Sequence, residues 1–488
     1  MTAGGAAAAP AGATLGADAS GPAVAALYHR LLAAIFLAAW ASLGVQVDVL
    51  IGSRGLLPAT AFLAGADAQR LGLAELPTVF WLNASDTALR AGVWVGAALA
   101  LAALLGIRPR LCTAAGTALY LSYVTVGRTF FSFQWDNLLI ECGVLAAFLP
   151  TDRPAPAAHL LFRILLFKLY WESGIAKWQS HLGDWQDGTA MMFYYETAPL
   201  PAWPAWYAHH LPAWWHHLES RAVLVLELVV PFCIFATRRL RLFTFAVFTI
   251  FQLTNALTAN YGFFVYLALA LHVFLLADRD VQWITTRLPE LWPPPRRRPR
   301  TGWAARAGRV AAVVAVAMYI AVSLLDALAA FAPMPRRLYA LTVPLLNTIE
   351  PLRAINTYHL FGHITRDRIE PEMQIESEGA WRAYDLRHKP GPLERAPDFV
   401  APHQPRLDFQ LWFYGLSFQH GTPPYVSALL DRLCHDPAAV QSVFAEPLPT
   451  APQAVRIAFW SYRFSPLGTE RAWWTREPVA STSAVSCN

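Results

Sequence analysis

Charge is scarce in this chain. Charged residues make up 15% of its 488 positions, against about a quarter in an ordinary soluble protein. Hydrophobic residues reach 56%, and they gather in runs of about twenty, the length that crosses a hydrocarbon layer. A wholly water-exposed globule is excluded. Cysteine is sparse too: five residues and no CxxC, which leaves neither a zinc knuckle nor a thioredoxin-type site. Cys112, Cys142 and Cys233 fall in apolar runs. Cys434 and Cys487 fall near the C-terminus, where an oxidising compartment would permit a disulfide that sequence alone does not place. GxSxG, P-loop, HExxH and GxGxxG patterns are absent, so no nucleotide or hydrolase chemistry is supported and no cofactor is implied. Residues 1–22 lack the basic and apolar regions of a signal peptide and read as a low-complexity, disordered start.

What is present reads as a polytopic helical membrane protein. Nine spans are expected near 26–45, 88–106, 111–127, 136–150, 158–176, 222–237, 241–258, 261–277 and 309–331. Arginines collect in alternate connections: Arg108 and Arg110, then Arg153, then Arg238, Arg239 and Arg241, then the PPPRRRPR stretch at 293–300. By the positive-inside rule this basic side is cytoplasmic. The net charge of +5 therefore needs no nucleic-acid partner. The N-terminus is expected inside, and everything after Phe331 outside. The first loop, the turn at Asn260 and the long connection from Trp178 to Arg221 then share the outer face with the C-terminal part.

The chain is organised around Leu169 to Pro212, LYWESGIAKWQSHLGDWQDGTAMMFYYETAPLPAWPAWYAHHLP. It begins in an apolar helix that carries Lys168, Glu172 and Lys177, and charges inside a membrane helix mark function by default. It leaves as a loop rich in Trp, Tyr, His and Pro, suited to the headgroup region. Lys168 and Glu172 are four apart and can pair on one face. Two roles are open to Lys177: it can snorkel to the outer headgroups, or serve as a desolvated base, with Glu172 and Asp184 as neighbours. Asp136 is placed to cap a helix. Glu141 lies within a span and needs a buried partner, Lys168 or Arg163 being the candidates. His209, His210, His216 and His217 make a histidine-rich outer loop, but Pro212 interrupts it and no carboxylate or cysteine sits at ligand spacing; interfacial residues are expected there rather than a metal site.

After Phe331 charge and proline become frequent and no long apolar run returns. A mostly β extramembrane domain is expected over 336–488, carried by a membrane domain over 23–335. Met373–Tyr384 reads as a hairpin around Glu378-Gly379, and Arg456–Phe464 as a half-buried strand. Gln410–Phe418 and Val426–Cys434 are more helix-like. The dense segment VAPHQPRLDFQLWF brings together His403, Arg406, Asp408 and Trp412 as candidate binding residues. Its plainer reading is a turn locked by Arg406 and Asp408, with Trp412 and Phe413 in the core.

At these residues the sequence resembles the lipase maturation factor family. Three blocks carry the likeness: Phe133–Pro150, Ser173–Pro212 and Asn356–Phe413, with YETAPLP, AWYAHHLP and VAPHQPRLDFQLWF as their unusual strings. The resemblance implies a membrane-anchored maturation factor for a secreted client such as a lipase, with the C-terminal part handling the client. Animal members sit in the endoplasmic reticulum; the Ala-, Pro- and Arg-rich composition resembles a bacterial relative, in the inner membrane. A shorter pattern, SGIAK at Ser173–Lys177 and DWQDG at Asp184–Gly188, is similar to the vitamin K-dependent γ-carboxylase and the HTTM-like membrane group. That likeness implies the alternative of a membrane enzyme using Lys177 as base on a lipid-soluble cofactor or substrate.

Overall fold

The computed structural model describes residues 21–287, 302–469 and 472–487. The N-terminal stretch up to residue 20 and the PPPRRRPR stretch lie outside the described residues. In chain order the long helices are α1 (Pro22–Gly44), α2 (Asp86–Leu104), α3 (Pro109–Gly127), α4 (Gln134–Ala147), α5 (Pro156–Trp178), α6 (Ala213–Leu228), α7 (Arg238–Thr258), α8 (Phe264–His272) and α9 (Trp303–Phe331). Proline opens α1, α3 and α5, where its missing N–H costs nothing. Ser85 caps α2 by accepting from the amide of Ala88.

Each of the nine predicted spans overlaps one of these helices. By length and composition, α1, α2, α7 and the Arg306–Phe331 part of α9 are the ones able to cross a membrane. The others fall short for two reasons. At 14 residues, α4 reaches only about 21 Å at 1.5 Å per residue, less than the ~30 Å hydrocarbon core. At 23 residues α5 is long enough, but Lys168, Glu172 and Lys177 interrupt its apolar character.

Small residues let the helices approach. A Cβ on Gly96 of α2 would sit 2.2 Å from the Trp40 ring of α1, and one on Gly143 of α4 2.0 Å from Thr117 of α3. Close packing at small residues is the usual driving contact between membrane helices. Tyr28, Phe162 and Phe274 join α1 and α5 to the turn after α8, with ring centroids 4.2–4.7 Å apart.

Beyond α9 come α10 (Arg336–Ile349), α11 (Arg406–Ser417) and α12 (Pro424–His435). They accompany an antiparallel sheet of β1 (Arg368–Ser377), β2 (Ala380–Tyr384), β3 (Ala454–Phe464), β4 (Trp474–Ser481) and the short β5 (Val485–Ser486). The order is β2-β1-β3-β4, with β5 on β3. The hairpin turns at Glu378-Gly379, both at positive φ, the geometry a two-residue hairpin requires. Sheet and helices share this part, so it is a small antiparallel sheet flanked by helices rather than a mostly β domain. Cys434 of α12 and Cys487 after β5 form a disulfide.

Because that bond takes two of the five cysteines, a maleimide should label three thiols in the unfolded, unreduced protein: Cys112, Cys142 and Cys233. Reduction should raise the count to five. Five labels without reductant would remove the disulfide.

Candidate functional site: a segment clamped by buried charges

Between α9 and the sheet, the chain from Asn356 to Ile364 has no regular structure, yet it runs through the helix bundle. Buried backbone without helix or sheet needs other partners, and at membrane depth such backbone is tolerated only inside protein. Here the charged side chains of the bundle supply them. Glu141 accepts from the amide of Asn356 at 3.1 Å, its side-chain Nδ2 at 2.9 Å and the Tyr358 hydroxyl at 2.7 Å. Glu172 accepts from the amide of Tyr358 at 2.8 Å. Gln134 takes the amide of His359 at 2.9 Å, and Asp184 that of Ile364 at 2.7 Å. Lys177 donates to the carbonyl of Leu360 at 2.8 Å, and the Trp185 indole to that of Phe361 at 3.2 Å.

The structure redistributes the expected pairs. Lys168 does not pair with Glu172, its neighbour on the helix face. Its ammonium reaches Glu141 at 3.4 Å and Ser323 of α9 at 3.1 Å. Lys177 does not snorkel. It is 3% exposed, and its Nζ lies 2.8 Å from Glu227 of α6. Burial next to a carboxylate replaces the water that a snorkelling amine would seek, and it leaves no free amine for a base. Glu172 and Asp184 are each engaged with the Tyr358–Ile364 backbone and do not bond Lys177 among the described residues.

A second clamp lies at the start of α11. Arg406 forms a bidentate pair with Asp136, both contacts at 2.8 Å, and donates to the Phe130 carbonyl and the Tyr120 hydroxyl. Its guanidinium lies 3.7 Å over the Phe131 ring. The expected cap at Asp136 is corrected: Phe133 occupies the cap position, and the Asp136 carboxylate faces the buried guanidinium that needs it. The turn lock between Arg406 and Asp408 is corrected likewise; Asp408 accepts from the amide of His388 at 3.2 Å. Burial raises the Asp408 carboxyl, opposed by His388 and Lys389. His403 lies 2.9 Å from the Ser42 hydroxyl; burial pushes its imidazole down to about 4. Trp412 donates to the Thr197 carbonyl, whereas Phe413 is exposed rather than core.

The aromatic loop is pinned from above. Arg368 of β1 donates to the carbonyls of Glu196, Ala198 and Pro199. Asn260 donates to Asp398 and accepts from Val400 and Ala401. Gln46 bonds both the Gln404 carbonyl and the Arg406 amide. Three loop histidines meet protein groups: His210 the Trp206 carbonyl at 2.6 Å, His216 the His209 carbonyl at 3.1 Å, and His209 Nε2 lies 3.7 Å from Glu196. Burial pushes His209 down to about 4. Among the described residues no three His, Cys, Asp or Glu side chains gather to hold a metal.

Sequence reasoning missed Glu227, Tyr358 and Asn356 as partners. A signal existed: NTYHLF at 356–361 sets polar and aromatic residues side by side in the stretch after the last expected span.

The fold and clamp define a helical membrane protein interlocked with a C-terminal α/β part. The comparisons agree with that division. Residues 23–283 match the family model "Lipase maturation factor transmembrane domain", and 354–484 match "Lipase maturation factor C-terminal domain". Lipase maturation factor 2 of Rattus norvegicus is 30% identical, over 93% of this chain and 81% of the relative. Lipase maturation factor 1 of Bos taurus is also 30% identical, over 92% and 86%. No solved structure matches. The chain belongs to the lipase maturation factor family.

Both clamps are testable in the full chain. Removing one partner of a buried ion pair costs about 3–5 kcal/mol, because the other charge is left uncompensated. Arg406→Met and Lys177→Met should each lower the thermal midpoint in detergent. Arg406→Met/Asp136→Leu and Lys177→Met/Glu227→Gln should each recover most of that loss. Doubles no better than the singles would show that the pairs are not coupled.

Proposed function

We propose that this protein is a membrane-anchored maturation factor that assists folding of a secreted client, a lipase being the client class. The observation that carries the reading is family membership across both the membrane and C-terminal parts, together with the clamp that fixes one upon the other. The membrane domain over 23–335 holds; the domain over 336–488 presents. β2 and β4 border the sheet, and a bordering strand offers unpaired backbone groups to an extended client segment. His403, Arg406, Asp408, Trp412, His209 and His210 serve this function by positioning the C-terminal part over the outer loops. Lys177, Glu172 and Asp184 hold the Asn356–Ile364 segment, and nothing supports a catalytic role for them.

The topology we propose keeps nine spans in a bacterial inner membrane, N-terminus cytoplasmic and C-terminal part outside. The arginine asymmetry supports it. So does the Cys434–Cys487 disulfide, since such bonds persist in oxidising compartments. So does the meeting of the first loop with this part, where Arg54 pairs with Asp436 at 2.5 Å.

Two measurements test these readings. A periplasm-dependent reporter fused after Asn488 should be active; activity of a cytoplasm-dependent reporter would invert the topology. Deleting the gene in a host that secretes a lipase should lower lipase activity per mass of secreted enzyme several-fold, and Arg406→Met should reproduce part of the loss. Unchanged specific activity after deletion would overturn the client class.

A further inference from the structure

A cavity of about 60 Å³ lies beside the Lys177–Glu227 pair, between α5, α6, α7 and the start of α8. Leu169, Val223, Phe251, Phe264 and Phe361 supply apolar wall. The pair compensates its own charge, so the cavity favours an uncharged occupant, because a further buried charge would have no counter-ion. Phe251 and Asn255 line it and are partly exposed. They lie on the same helix as Ile250, Leu253 and Leu257, all exposed, so the cavity reaches the lipid-facing flank of α7.

One wall group lacks a partner. Gln252 is 2% exposed. Its Nε2 donates to the Tyr170 hydroxyl at 3.0 Å, and that hydroxyl lies 3.0 Å from His272 Nε2. His272 Nδ1 in turn is 3.2 Å from the Thr249 hydroxyl. With the amide oriented as in the structure, the relay closes when His272 donates to Thr249, Tyr170 donates to His272, and Gln252 donates to Tyr170. That orientation leaves Gln252 Oε1 with no hydrogen-bond partner among the described residues. A buried acceptor left unmade is expensive.

We propose that this cavity binds the hydroxyl end of an uncharged long-chain molecule taken from the bilayer, its O–H donating to Gln252 Oε1. A water-sized position needs about 10–15 Å³ by this measure, so the space holds roughly four to six such positions. That accommodates a hydroxyl and the first few carbons. The remaining chain leaves past Phe251 and Asn255 into lipid. The site is separate from the client-presenting sheet, and its test does not depend on any client.

The full-length protein in detergent is irradiated with a photoreactive, alkyne-tagged hexadecanol, and adducts are mapped by mass spectrometry. Adducts are expected on the Leu169–Lys177 and Phe251–Asn255 stretches, suppressed by unlabelled 1-hexadecanol. Hexadecyl methyl ether, which cannot donate, should compete about tenfold less well, the scale of one buried hydrogen bond. Gln252→Leu should reduce labelling by a similar factor without changing labelling elsewhere. If that variant fails to fold, the alcohol–ether comparison on the unaltered protein still decides. Competition by a 1,2-diacylglycerol as well would assign a two-chain source, and its failure a single-chain alcohol; both support the site. Equal competition by alcohol and ether, or adducts that unlabelled 1-hexadecanol does not suppress, centred on Ile250 and Leu257, would overturn it.

Discussion

A stretch of backbone that is neither helix nor strand, buried among membrane helices, must find a partner for each N–H and C=O. In this protein that stretch is Asn356–Ile364, largely buried, and the constraint accounts for the placing of four buried charges, Glu141, Glu172, Lys177 and Asp184. Glu141 accepts from Lys168, Tyr319, Asn356 and Tyr358. Glu172, Lys177 and Asp184 each bond a main-chain group of the segment. A carboxylate surrounded by that many donors is a satisfied buried charge rather than a reactive one.

The same constraint explains why the membrane and C-terminal parts do not behave as separable pieces. The segment enters the bundle just before β1. The chain returns to the bundle at Asp398–Arg406, where Asn260, Ser42, Gln46 and Asp136 take hold of it in sequence. Arg406 suits its position because a planar guanidinium matches a carboxylate through two parallel bonds and stacks on Phe131 with its face. A lysine would deliver the charge without the fork. Buried pairs of this kind add little net stability relative to apolar replacements. Their contribution here is register: Asp136 accepts one guanidinium, at one position along the returning chain.

Much of this was legible in the sequence and some was not, for identifiable reasons. Apolar runs located the helices, and the Glu378-Gly379 pair located the hairpin turn. The importance of Lys168, Glu172 and Lys177 followed from the rarity of charge in such runs. Of their partners, Glu141 for Lys168 followed, at 3.4 Å, and those of Glu172 and Lys177 did not. Spacing rules connect residues on one helix face, and so suggested Lys168 with Glu172. A further partner of Glu141 lies 215 residues away, at Asn356, and that of Asp136 lies 270 away, at Arg406. No periodicity carries such pairings. Length and composition support four of the nine expected spans, because the pattern that marks a long crossing also marks a short buried helix such as α4.

These contacts together give the aromatic loop its place. From below, Lys177 and Trp185 tie its two ends of the SGIAKW–DW turn to the buried segment. From above, Arg368 binds the carbonyls of Glu196, Ala198 and Pro199, and Trp412 takes that of Thr197 between them. The loop is thus a layer between bundle and sheet. Its tryptophans and tyrosines divide accordingly: Trp185, Tyr194 and Tyr195 are buried, while Trp203, Tyr207 and Trp214 remain exposed. The exposed set has the amphipathic character that settles at a membrane interface. Lys177, which holds the segment beneath this loop, also lines the wall of the cavity. Lys177 is thus one of several buried groups that join the two parts of the chain, through Glu227 and the Leu360 carbonyl.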